Sequence, residues 1–521
     1  MFENERTVGR FAENNNMDEF HKKFDQAVHE VQKEFGKNYP MIIGGKEIFS
    51  DNKFQVRSPA DKNMVLGHFP MATRDDILRA IDAAKESFYR WSQVPYQNRV
   101  RIFREIADLF SQNKFNLAAI LCFENGKNRL EAMGDLDESI DFMRFYSEEL
   151  ELNTGFSKET KSSLPKEKTR SVLKPYGVWG IISPFNFPSA IAIGMTCGTL
   201  ITGNTAILKP SSDAPISAFK FVEYIFHKLA PGAISFVTGS GGVVGKTMLE
   251  SPLVDGIAFT GSKEVGLSGF ATFAIKKPRP FISEMGGKNP AIISASSDIE
   301  KAADGVLRAA FGYSGQKCSA CSRVYVQKSI AAKFLERLVS KTVGLKIGKP
   351  WEQDTYMGPL INDKAVKKFQ KYSELAKKDG KVLCGGSQVL DGSCENGNFV
   401  APTIVAGLPR DHELIREELF LPLLCVEEFD TFDEAIMLAN KSNYGLTAGV
   451  FSQDKNEIEK FFEKIEAGVT YANRDASATT GAMVGSQPFV GWKESGISGK
   501  GAGGAYYLLQ FMHEQTQTRC E

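Results

Sequence analysis

The chain has 521 residues, enough for two or three domains, because single hydrophobic cores stop growing at about 250–300 residues. Its 42% hydrophobic and 24% charged residues are typical of a globular protein, and 63 basic and 63 acidic side chains give a net charge of zero. That balance excludes the overall positive charge by which binding to nucleic acid or to an anionic membrane is recognised.

The first twenty residues, MFENERTVGRFAENNNMDEF, are polar and lack the apolar core of a signal peptide, which predicts a cytoplasmic protein. The most apolar stretch, residues 178–203, is interrupted by Pro184, Asn186 and Pro188 and so fails as a membrane helix. We interpret it as buried strand, loop and helix.

Helical patterns dominate the first third of the chain. Residues 17–36 have apolar side chains at helical spacing and end at a glycine. Residues 73–151 continue this pattern, opening with Thr73 as a predicted N-cap. The polar, turn-rich residues 153–170 then predict a projecting hairpin.

Short β-rich runs alternate with helical segments from 171 to 300, and a second such cycle runs from 301 to 475. This alternation predicts the α/β class with largely parallel sheets. The tail, residues 506–518, is predicted to start as a strand that pairs outside its own domain.

Cys318 and Cys321 are the candidate reactive cysteines, three positions apart in GYSGQKCSACSRVYV. No second CxxC or HxxxH accompanies them, which disfavours a structural zinc site, and no metal is predicted. A thioredoxin-like pair is disfavoured because the motif does not begin a helix in a small domain. A single nucleophile remains. We expect Lys317 and the preceding turn to lower the pKa of Cys318 and leave its sulfur accessible, whereas Cys321 packs.

Two glycine-containing turns follow predicted strands. FVTGSGGVVG places Gly239, Gly241 and Gly245 between a strand and a helix, where backbone amides can approach a phosphate. Its GxGxxxG spacing is one residue longer than the usual dinucleotide fingerprint, and an ordinary tight turn is an equal alternative. FTGSKEVG repeats the pattern, with Ser262 at a helix start. Two such turns favour a nucleotide.

Glu284 and Asn186 are the other candidates for chemistry. Glu284 ends the apolar strand in FISEMGGKNP, where partial desolvation would raise its pKa towards that of a general base. The alternative is a solvated glutamate at a strand end. Asn186, in SPFNFPSA, is held between two aromatic residues and could donate to an oxyanion. The alternative is a turn asparagine bonded to its own backbone.

The motifs PFNFP, ILKPSS, FTGSKEVG, EMGGKNP, GQKCSACSR, EELFLP and NYGLTAGVFS occur in the order found in the NAD(P)-dependent aldehyde dehydrogenase superfamily. The resemblance covers the chain from about residue 40 to its end. It implies a Rossmann-like cofactor domain (20–147 and 171–286), an α/β catalytic domain (287–494) and a small β oligomerisation element (148–170 and 495–521). It also implies that Cys318 is the nucleophile, that Glu284 activates water, and that Asn186 and the Cys318 backbone amide form the oxyanion hole.

The resemblance further implies a nicotinamide cofactor, NAD by family habit with NADP as the alternative. Many NAD-preferring members have a glutamate where this chain has Ser212. The glycine-rich turns and the resemblance together predict these cofactor-binding residues: Ser183, Phe185, Lys209, Ser212, Gly241, Gly245, Phe259, Gly261, Ser262, Glu418 and Phe420.

Within the superfamily, GYSGQKCSACSR, Asn473-Arg474 and TTGAMVGSQPF most resemble the 1-pyrroline-5-carboxylate dehydrogenase family, which oxidises L-glutamate γ-semialdehyde to glutamate. The resemblance implies that the substrate is bound by Glu138, Lys317, Ser319 and Gly491. Two positions depart from the usual pattern, with Val490 and Leu421 in place of glycines, and they put the identity of the aldehyde in doubt.

Three alternatives to this activity are considered. One is oxidation of succinic semialdehyde or another small aldehyde, and one is a CoA-acylating reaction, which Glu284 disfavours. The third is a non-catalytic protein that retains the fold. The hairpin and the tail match the element that pairs subunits in this superfamily, so a homodimer or a multiple of it is expected. Apart from a small-molecule aldehyde, no nucleic acid or membrane partner is predicted.

Overall fold

The structure, a computed structural model, describes residues 2–275, 277–475 and 483–520. Within these residues there are fifteen α-helices: α1 (Thr7–Glu13), α2 (Met17–Gln32), α3 (Arg74–Trp91), α4 (Tyr96–Asn125), α5 (Arg129–Leu152), α6 (Ala190–Ile201), α7 (Ile216–Ile225), α8 (Lys246–Glu250), α9 (Lys263–Ala274), α10 (Ile299–Phe311), α11 (Ala331–Val343), α12 (Asp363–Asp379), α13 (Glu413–Arg416), α14 (Phe432–Asn440) and α15 (Lys455–Lys464).

The strands of the described residues number twenty-two: β1 (Lys37–Asn38), β2 (Met41–Ile43), β3 (Lys46–Ile48), β4 (Lys53–Ser58), β5 (Asp61–Pro70), β6 (Ser157–Thr160), β7 (Glu167–Pro175), β8 (Val178–Ile182), β9 (Thr205–Lys209), β10 (Ile234–Phe236), β11 (Gly256–Thr260), β12 (Phe281–Glu284), β13 (Asn289–Ile293), β14 (Cys321–Gln327), β15 (Lys381–Cys384), β16 (Thr403–Ala406), β17 (Leu423–Phe429), β18 (Tyr444–Gly445), β19 (Thr447–Phe451), β20 (Val469–Ala472), β21 (Trp492–Lys493) and β22 (Met512–Cys520).

The first large sheet has the strand order β12-β11-β8-β9-β10-β2-β3. Its strands from β12 to β10 run parallel, and β2 and β3 join antiparallel at one edge. Strand β9 is buried at every position, because helices cover both faces of a parallel sheet. Residues 178–203 contribute β8, a loop and α6 to this layer, as their interrupted apolar pattern predicted. Among the described residues, no helix combines the length and apolar character that a membrane crossing requires.

The second large sheet has the order β15-β16-β17-β14-β13-β19-β20, with β15 antiparallel and the remaining strands parallel. Strand β13 was grouped by sequence with the first cycle of strands, but it lies in the middle of the second sheet. The chain therefore passes from one sheet to the other between Glu284 and Asn289. The predicted domain boundary at 286/287 falls in this crossing, and the division into domains stays a prediction.

The predicted helices are present in the first third of the chain. Helix α2 begins at Met17 and buries Phe20, Phe24 and Val28 on one face. Thr73 caps α3 as predicted, and its hydroxyl accepts a hydrogen bond from the Asp76 backbone amide while the Asp76 side chain bonds back, which completes a capping box.

The predicted hairpin is formed by β6 and β7, and β22 adds to it in an antiparallel register running from Met512 opposite Pro175 to Cys520 opposite Glu167. The expectation that the tail starts as a strand is wrong, because Tyr507–Phe511 is a 3₁₀ turn whose apolar side chains pack inward. The strand begins at the buried Met512, and the side chains from His513 onward are mostly polar and exposed.

Candidate active site

Most of the residues predicted to bind the cofactor, and the predicted base, lie where the parallel strands of the first sheet end. Ser183 follows β8, Lys209 ends β9, and Glu284 ends β12. Gly241 and Ser262 follow β10 and β11. Ligands of open α/β sheets bind outside these carboxyl ends, so this edge is the expected location of a site.

The second sheet contributes residues from the opposite strand ends. Cys318 precedes β14 and Glu418 precedes β17, so both lie at amino ends of parallel strands. The Gly287 backbone amide, in the crossing between the sheets, donates a 2.9 Å hydrogen bond to Glu418 Oε1. The candidate site is therefore the crevice between the carboxyl ends of one sheet and the amino ends of the other.

Cys318 lies in a constrained turn. Tyr313 and Ser314, just before it, have left-handed φ angles of 50° and 53°, a conformation that costs free energy and often occurs at functional sites. The Cys318 carbonyl oxygen accepts a 2.7 Å hydrogen bond from Asn289 Nδ2, which fixes the backbone at the cysteine. Cys321 lies in a different environment, since it is only 2% exposed and belongs to the core of the second sheet.

Cys318 is partly exposed as a residue, and two carboxylates act on its thiol. Its pKa is raised by burial and by the negative charges of Glu418 and Glu284. The backbone amides of Ser319 and of Cys318 itself act in the opposite direction and lower the pKa of the thiol.

The Glu284 carboxyl is desolvated and points towards a loop late in the chain. Its Oε2 accepts a 2.9 Å hydrogen bond from the Gly491 backbone amide, across 207 positions of sequence. Burial raises the pKa of Glu284 well above its usual range, and the bond from Gly491 lowers it only in part. The direction of this pKa shift agrees with the prediction, and the bond from Gly491 shows that the carboxyl is engaged by the protein rather than free at a strand end.

Asn186 is 3% exposed and lies between β8 and α6. The ring of Phe185, on one side of it, meets the ring of Phe420 edge to face with 5.8 Å between centroids. Phe187, on the other side, faces the ammonium group of Lys127, 3.4 Å from the ring centroid. These contacts fix both neighbours of Asn186.

Three of the remaining predicted cofactor residues are Ser183, Lys209 and Ser212, which lie at or near the carboxyl ends of β8 and β9. Ser183 is buried, and its hydroxyl has no hydrogen-bond partner among the described residues. Burial lowers the pKa of Lys209 to about 8, and its ammonium donates to the Pro210 carbonyl oxygen at 2.8 Å. The Ser212 hydroxyl donates to the Gly239 carbonyl oxygen at 3.1 Å.

The two glycine-containing turns differ in structure. Gly241–Gly245 is a single π-helical turn leading into α8, in which a Cβ built on Gly241 would meet nothing within 4 Å. The second turn is tight, because a Cβ on Gly261 would come within 2.6 Å of the Phe259 ring. Ser262 caps α9, with its hydroxyl accepting from the Val265 amide, as its predicted position at a helix start requires.

A model of the aldehyde dehydrogenase family matches residues 48–517 of the chain. The chain belongs to the aldehyde dehydrogenase family. This confirms the family and the fold class predicted from the seven motifs.

The chain is similar over nearly its whole length to several known proteins. The chain is 38% identical over 502 residues to a 1-pyrroline-5-carboxylate dehydrogenase of Geobacillus sp. (strain WCH70), covering 95% of each chain. The structure of 1-pyrroline-5-carboxylate dehydrogenase from Thermus with bound NAD has a TM-score of 0.92 at 33% identity, with 96% of each chain covered. Proline utilization A from Bdellovibrio bacteriovorus has a TM-score of 0.93 at 34% identity, and this chain spans 53% of its length.

One expectation about the nucleophile is wrong. Lys317 was expected to lower the pKa of Cys318, but its ammonium pairs with Glu131 Oε1 at 2.9 Å. The positive charge is thus neutralised by a carboxylate on α5, and burial and nearby carboxylates raise the pKa of the thiol instead. Adjacency in sequence did not predict which partner the flexible lysine side chain would reach.

The predicted substrate residues lie on three elements. Glu138 is on α5, where burial and the charges of Asp135 and Asp141 raise its pKa to about 8, against the lowering effect of Lys127 and Lys317. Ser319 is buried, and its carbonyl oxygen accepts from Thr447 Oγ1 at 3.2 Å. The Gly491 amide bonds to Glu284, so it links the substrate loop to the predicted base. The TTGAMVGSQPF motif lies partly outside the described residues.

Sequence reasoning missed the residues that hold the site together. Glu131 accepts from both Lys317 and the Tyr313 backbone amide, Asn289 bonds to the Cys318 carbonyl, and Lys127 pairs with Asp135. Asn289 directly follows EMGGK, and its position within a recognised motif could have identified it as a residue of the site. Lys127 and Asp135 lie in a helical region whose pattern indicated only secondary structure.

Proposed function

We propose that this enzyme oxidises L-glutamate γ-semialdehyde, the open form of 1-pyrroline-5-carboxylate, to L-glutamate with NAD. The observation that carries the proposal is the 38% identity over 95% of both chains to curated 1-pyrroline-5-carboxylate dehydrogenases. The arrangement between the two sheets supports it, because the negative charge of Glu284 acts on the thiol of Cys318 there.

Cys318 is proposed as the nucleophile. As the thiolate, its sulfur attacks the aldehyde carbon and the carbonyl oxygen takes up negative charge. The Asn186 amide and the Cys318 backbone amide would donate to that oxygen, and an oxyanion hole of this kind acts through donors already fixed in place. The contacts that fix Phe185 and Phe187 on either side of Asn186 support this role.

Residues at the carboxyl ends of the first sheet fit a dinucleotide. The Ser183 hydroxyl is buried without a hydrogen-bond partner among the described residues, and a Cβ on Gly241 would meet nothing within 4 Å, which leaves a donor and space for a ligand. Lys209 would bind the adenosine ribose, Ser262 the pyrophosphate and Glu418 the nicotinamide ribose, with Phe420 packing nearby. NAD held by these residues would supply the hydride acceptor for oxidation of the carbon bound to Cys318.

Glu284 is proposed as the base that completes turnover. Loss of the hydride leaves a thioester on Cys318, and its hydrolysis requires a water molecule deprotonated as it attacks. A desolvated carboxylate with a raised pKa is a stronger base than one in water, which suits Glu284 to this step. The acid product then leaves, and the thiol of Cys318 is regenerated.

The substrate's charged end is proposed to lie among Glu138, Ser319 and Gly491. Glu138 is an acidic group on α5 that would face the substrate amino group. Ser319 and the Gly491 loop would bind the carboxylate, and the Lys317 ammonium would take part by exchanging its pairing with Glu131 for the substrate. Val490, beside Gly491, narrows the conformations open to that loop, so a different small aldehyde is the second candidate.

A panel of aldehydes assayed with NAD and with NADP tests the proposal. We expect the highest kcat/KM for L-glutamate γ-semialdehyde with NAD. A preference for succinic semialdehyde would support the second candidate, and turnover that requires CoA would indicate an acylating enzyme. No reduction of either cofactor by any aldehyde would contradict the proposal.

We also propose that the enzyme is a homodimer or a multiple of one. The sheet of β22, β7 and β6 leaves β22 and β6 as edge strands, and such edges can pair with another chain. Sedimentation equilibrium of the full chain and of a variant lacking residues 512–521 tests this. A monomeric full-length protein would contradict it.

A further inference from the structure

A buried ion pair lies beside the segment that contains Asn186. Lys127, just after α4, and Asp135, in α5, have side chains with no exposed surface, and Nζ and Oδ2 are 2.8 Å apart. Burial lowers the pKa of Lys127, and the Asp135 carboxylate acts against that change. Removing two charges from water opposes folding, and an apolar pair of similar size is often at least as stable. Packing alone therefore gives no reason for charges here.

Both members of the pair contact the segment after Asn186. The Lys127 ammonium lies 3.4 Å from the centroid of the Phe187 ring, a close cation–π contact. Asp135 uses its other oxygen, Oδ1, to accept a 2.7 Å hydrogen bond from the Ala190 backbone amide. One ion pair thus holds the segment at Phe187 and again at the first residue of α6.

Neighbouring residues of the same region hold the segment at other points. Asn125 Nδ2 donates to the Phe185 carbonyl oxygen at 3.3 Å, and the hydroxyls of Ser139 and Ser189 are 2.7 Å apart. These contacts fix residues before and after Asn186. The Lys127–Asp135 pair is the charged part of this support.

The same ammonium reaches the turn that carries the nucleophile. Lys127 Nζ lies 5.1 Å from the ring centroid of Tyr313, and the Tyr313 hydroxyl donates to the Asn125 carbonyl oxygen at 2.9 Å. Lys127 therefore lies between the Asn186 segment and the turn that precedes Cys318. A shift of the ammonium would move the two sides relative to each other.

We propose that Lys127 and Asp135 are positioning residues that hold the Asn186 amide in place relative to Cys318 through the Phe187 ring and the Ala190 amide. This inference rests on the proposed role of Asn186 as an oxyanion donor. A cation held on a ring face restricts the ring more than a neutral side chain of the same length does. A displacement of about 1 Å at a reacting group can reduce a rate by about a hundredfold.

The test variant is Lys127→Met/Asp135→Asn. Methionine approximates the length of lysine without its charge, and asparagine keeps an oxygen that accepts from the Ala190 amide. Removing both charges avoids leaving one of them buried and unpaired. Ser139→Ala is a milder second variant, because it removes one uncharged hydroxyl, which donates to the Asp135 carbonyl oxygen at 2.7 Å and contacts the Ser189 hydroxyl.

Each variant is combined with Asn186→Ala in a double-mutant cycle, and kcat is measured for every member. Thermal melting is the control for folding. We expect Lys127→Met/Asp135→Asn to lower kcat by about 10- to 100-fold, with KM for NAD changed by less than about twofold. In the Asn186→Ala background the same changes should lower kcat by less than about threefold, because the group they position is absent. Ser139→Ala should show the same dependence on Asn186 with a smaller loss.

If folded Lys127→Met/Asp135→Asn lowers kcat by the same factor in the wild-type and the Asn186→Ala backgrounds, the inference is overturned. Full activity of Lys127→Met/Asp135→Asn would also overturn it. If that variant does not fold, the Ser139→Ala cycle decides in the same way. Crystal structures of wild type and of Lys127→Met/Asp135→Asn add a readout independent of activity. Residues 185–187 should occupy a different position in the variant than in wild type. If wild type oxidises no aldehyde, the proposed function fails, and an unshifted segment would still refute the positioning role.

Discussion

Replacing Glu284 with glutamine removes the proposed base and changes little else. Glutamine keeps a side-chain oxygen that can accept the 2.9 Å hydrogen bond from the Gly491 amide. The backbone hydrogen bond from Gly261 to the Glu284 carbonyl, at 3.2 Å, does not involve the side chain. The substitution therefore tests proton transfer while the loop around Gly491 stays in place.

The structure sets the size and direction of the effects. General-base catalysis contributes about 10²- to 10⁴-fold, and a desolvated carboxylate with a raised pKa and a single hydrogen bond belongs in the middle of that range or above. We expect turnover to fall by about 10³-fold, equivalent to about 4 kcal/mol. Stability should not fall. Because the folded-state pKa of Glu284 is raised, its ionised form destabilises the fold above the unfolded-state pKa, and a neutral amide removes that cost.

Rapid mixing of Glu284→Gln enzyme with aldehyde and NAD separates the two chemical steps. Hydride transfer precedes the step that needs the base, so a burst of NADH equal to the number of subunits should precede very slow turnover. Intact-protein mass spectrometry should show the acyl group retained on Cys318. Glu427→Gln is a matched control, since Glu427 is a buried glutamate with a raised pKa on β17. It should leave turnover within about twofold of wild type, as expected for a residue outside the site.

Turnover close to that of wild type would refute the role of Glu284 as base. Loss of the burst as well as of turnover would place Glu284 before hydride transfer, for example in deprotonating the thiol. A fall in melting temperature as large as that of a core substitution would show that the activity loss reflects unfolding. Each result is distinct from the expected combination of an intact burst, slow turnover and unchanged or higher stability.

Three further outcomes are expected. Cys318→Ala should abolish turnover in a folded protein. Cys321→Ala should keep activity and lose about 1 kcal/mol of unfolding free energy, because it leaves a small cavity in the core of the second sheet. Equal loss of activity in both folded variants would instead indicate a redox pair. Asn186→Ala should lower kcat by about 10²- to 10³-fold with KM for NAD unchanged, and a loss confined to KM would contradict its oxyanion role. The pKa values of Cys318 and Glu284 are both raised, and both groups act in their deprotonated forms. The value of kcat should therefore increase from neutral to alkaline pH. A kcat that is constant from pH 5 upward would contradict both assignments.

Much of the site could be predicted from local patterns. Apolar runs, glycine turns and the Thr73 and Ser262 caps depend on a few adjacent residues, so the sequence located most strands and these helix starts correctly. The different roles of Cys318 and Cys321 could also be predicted from the sequence, because no second pair of metal ligands accompanied the two cysteines. Short strands such as β2 and β3 were missed, because three residues carry too little periodicity to be recognised.

The sequence by itself determined the elements, the family and the residue types available for chemistry, because caps, periodicity and motifs are properties of neighbouring positions. Only the tertiary structure decided their partners. The bonds from Gly491 to Glu284 and from Lys317 to Glu131 span 207 and 186 positions, and the pKa of Cys318 follows from carboxylates on other segments. Desolvation and charge interactions depend on which groups folding brings together, so the electrostatics of this site arise from packing between the two sheets.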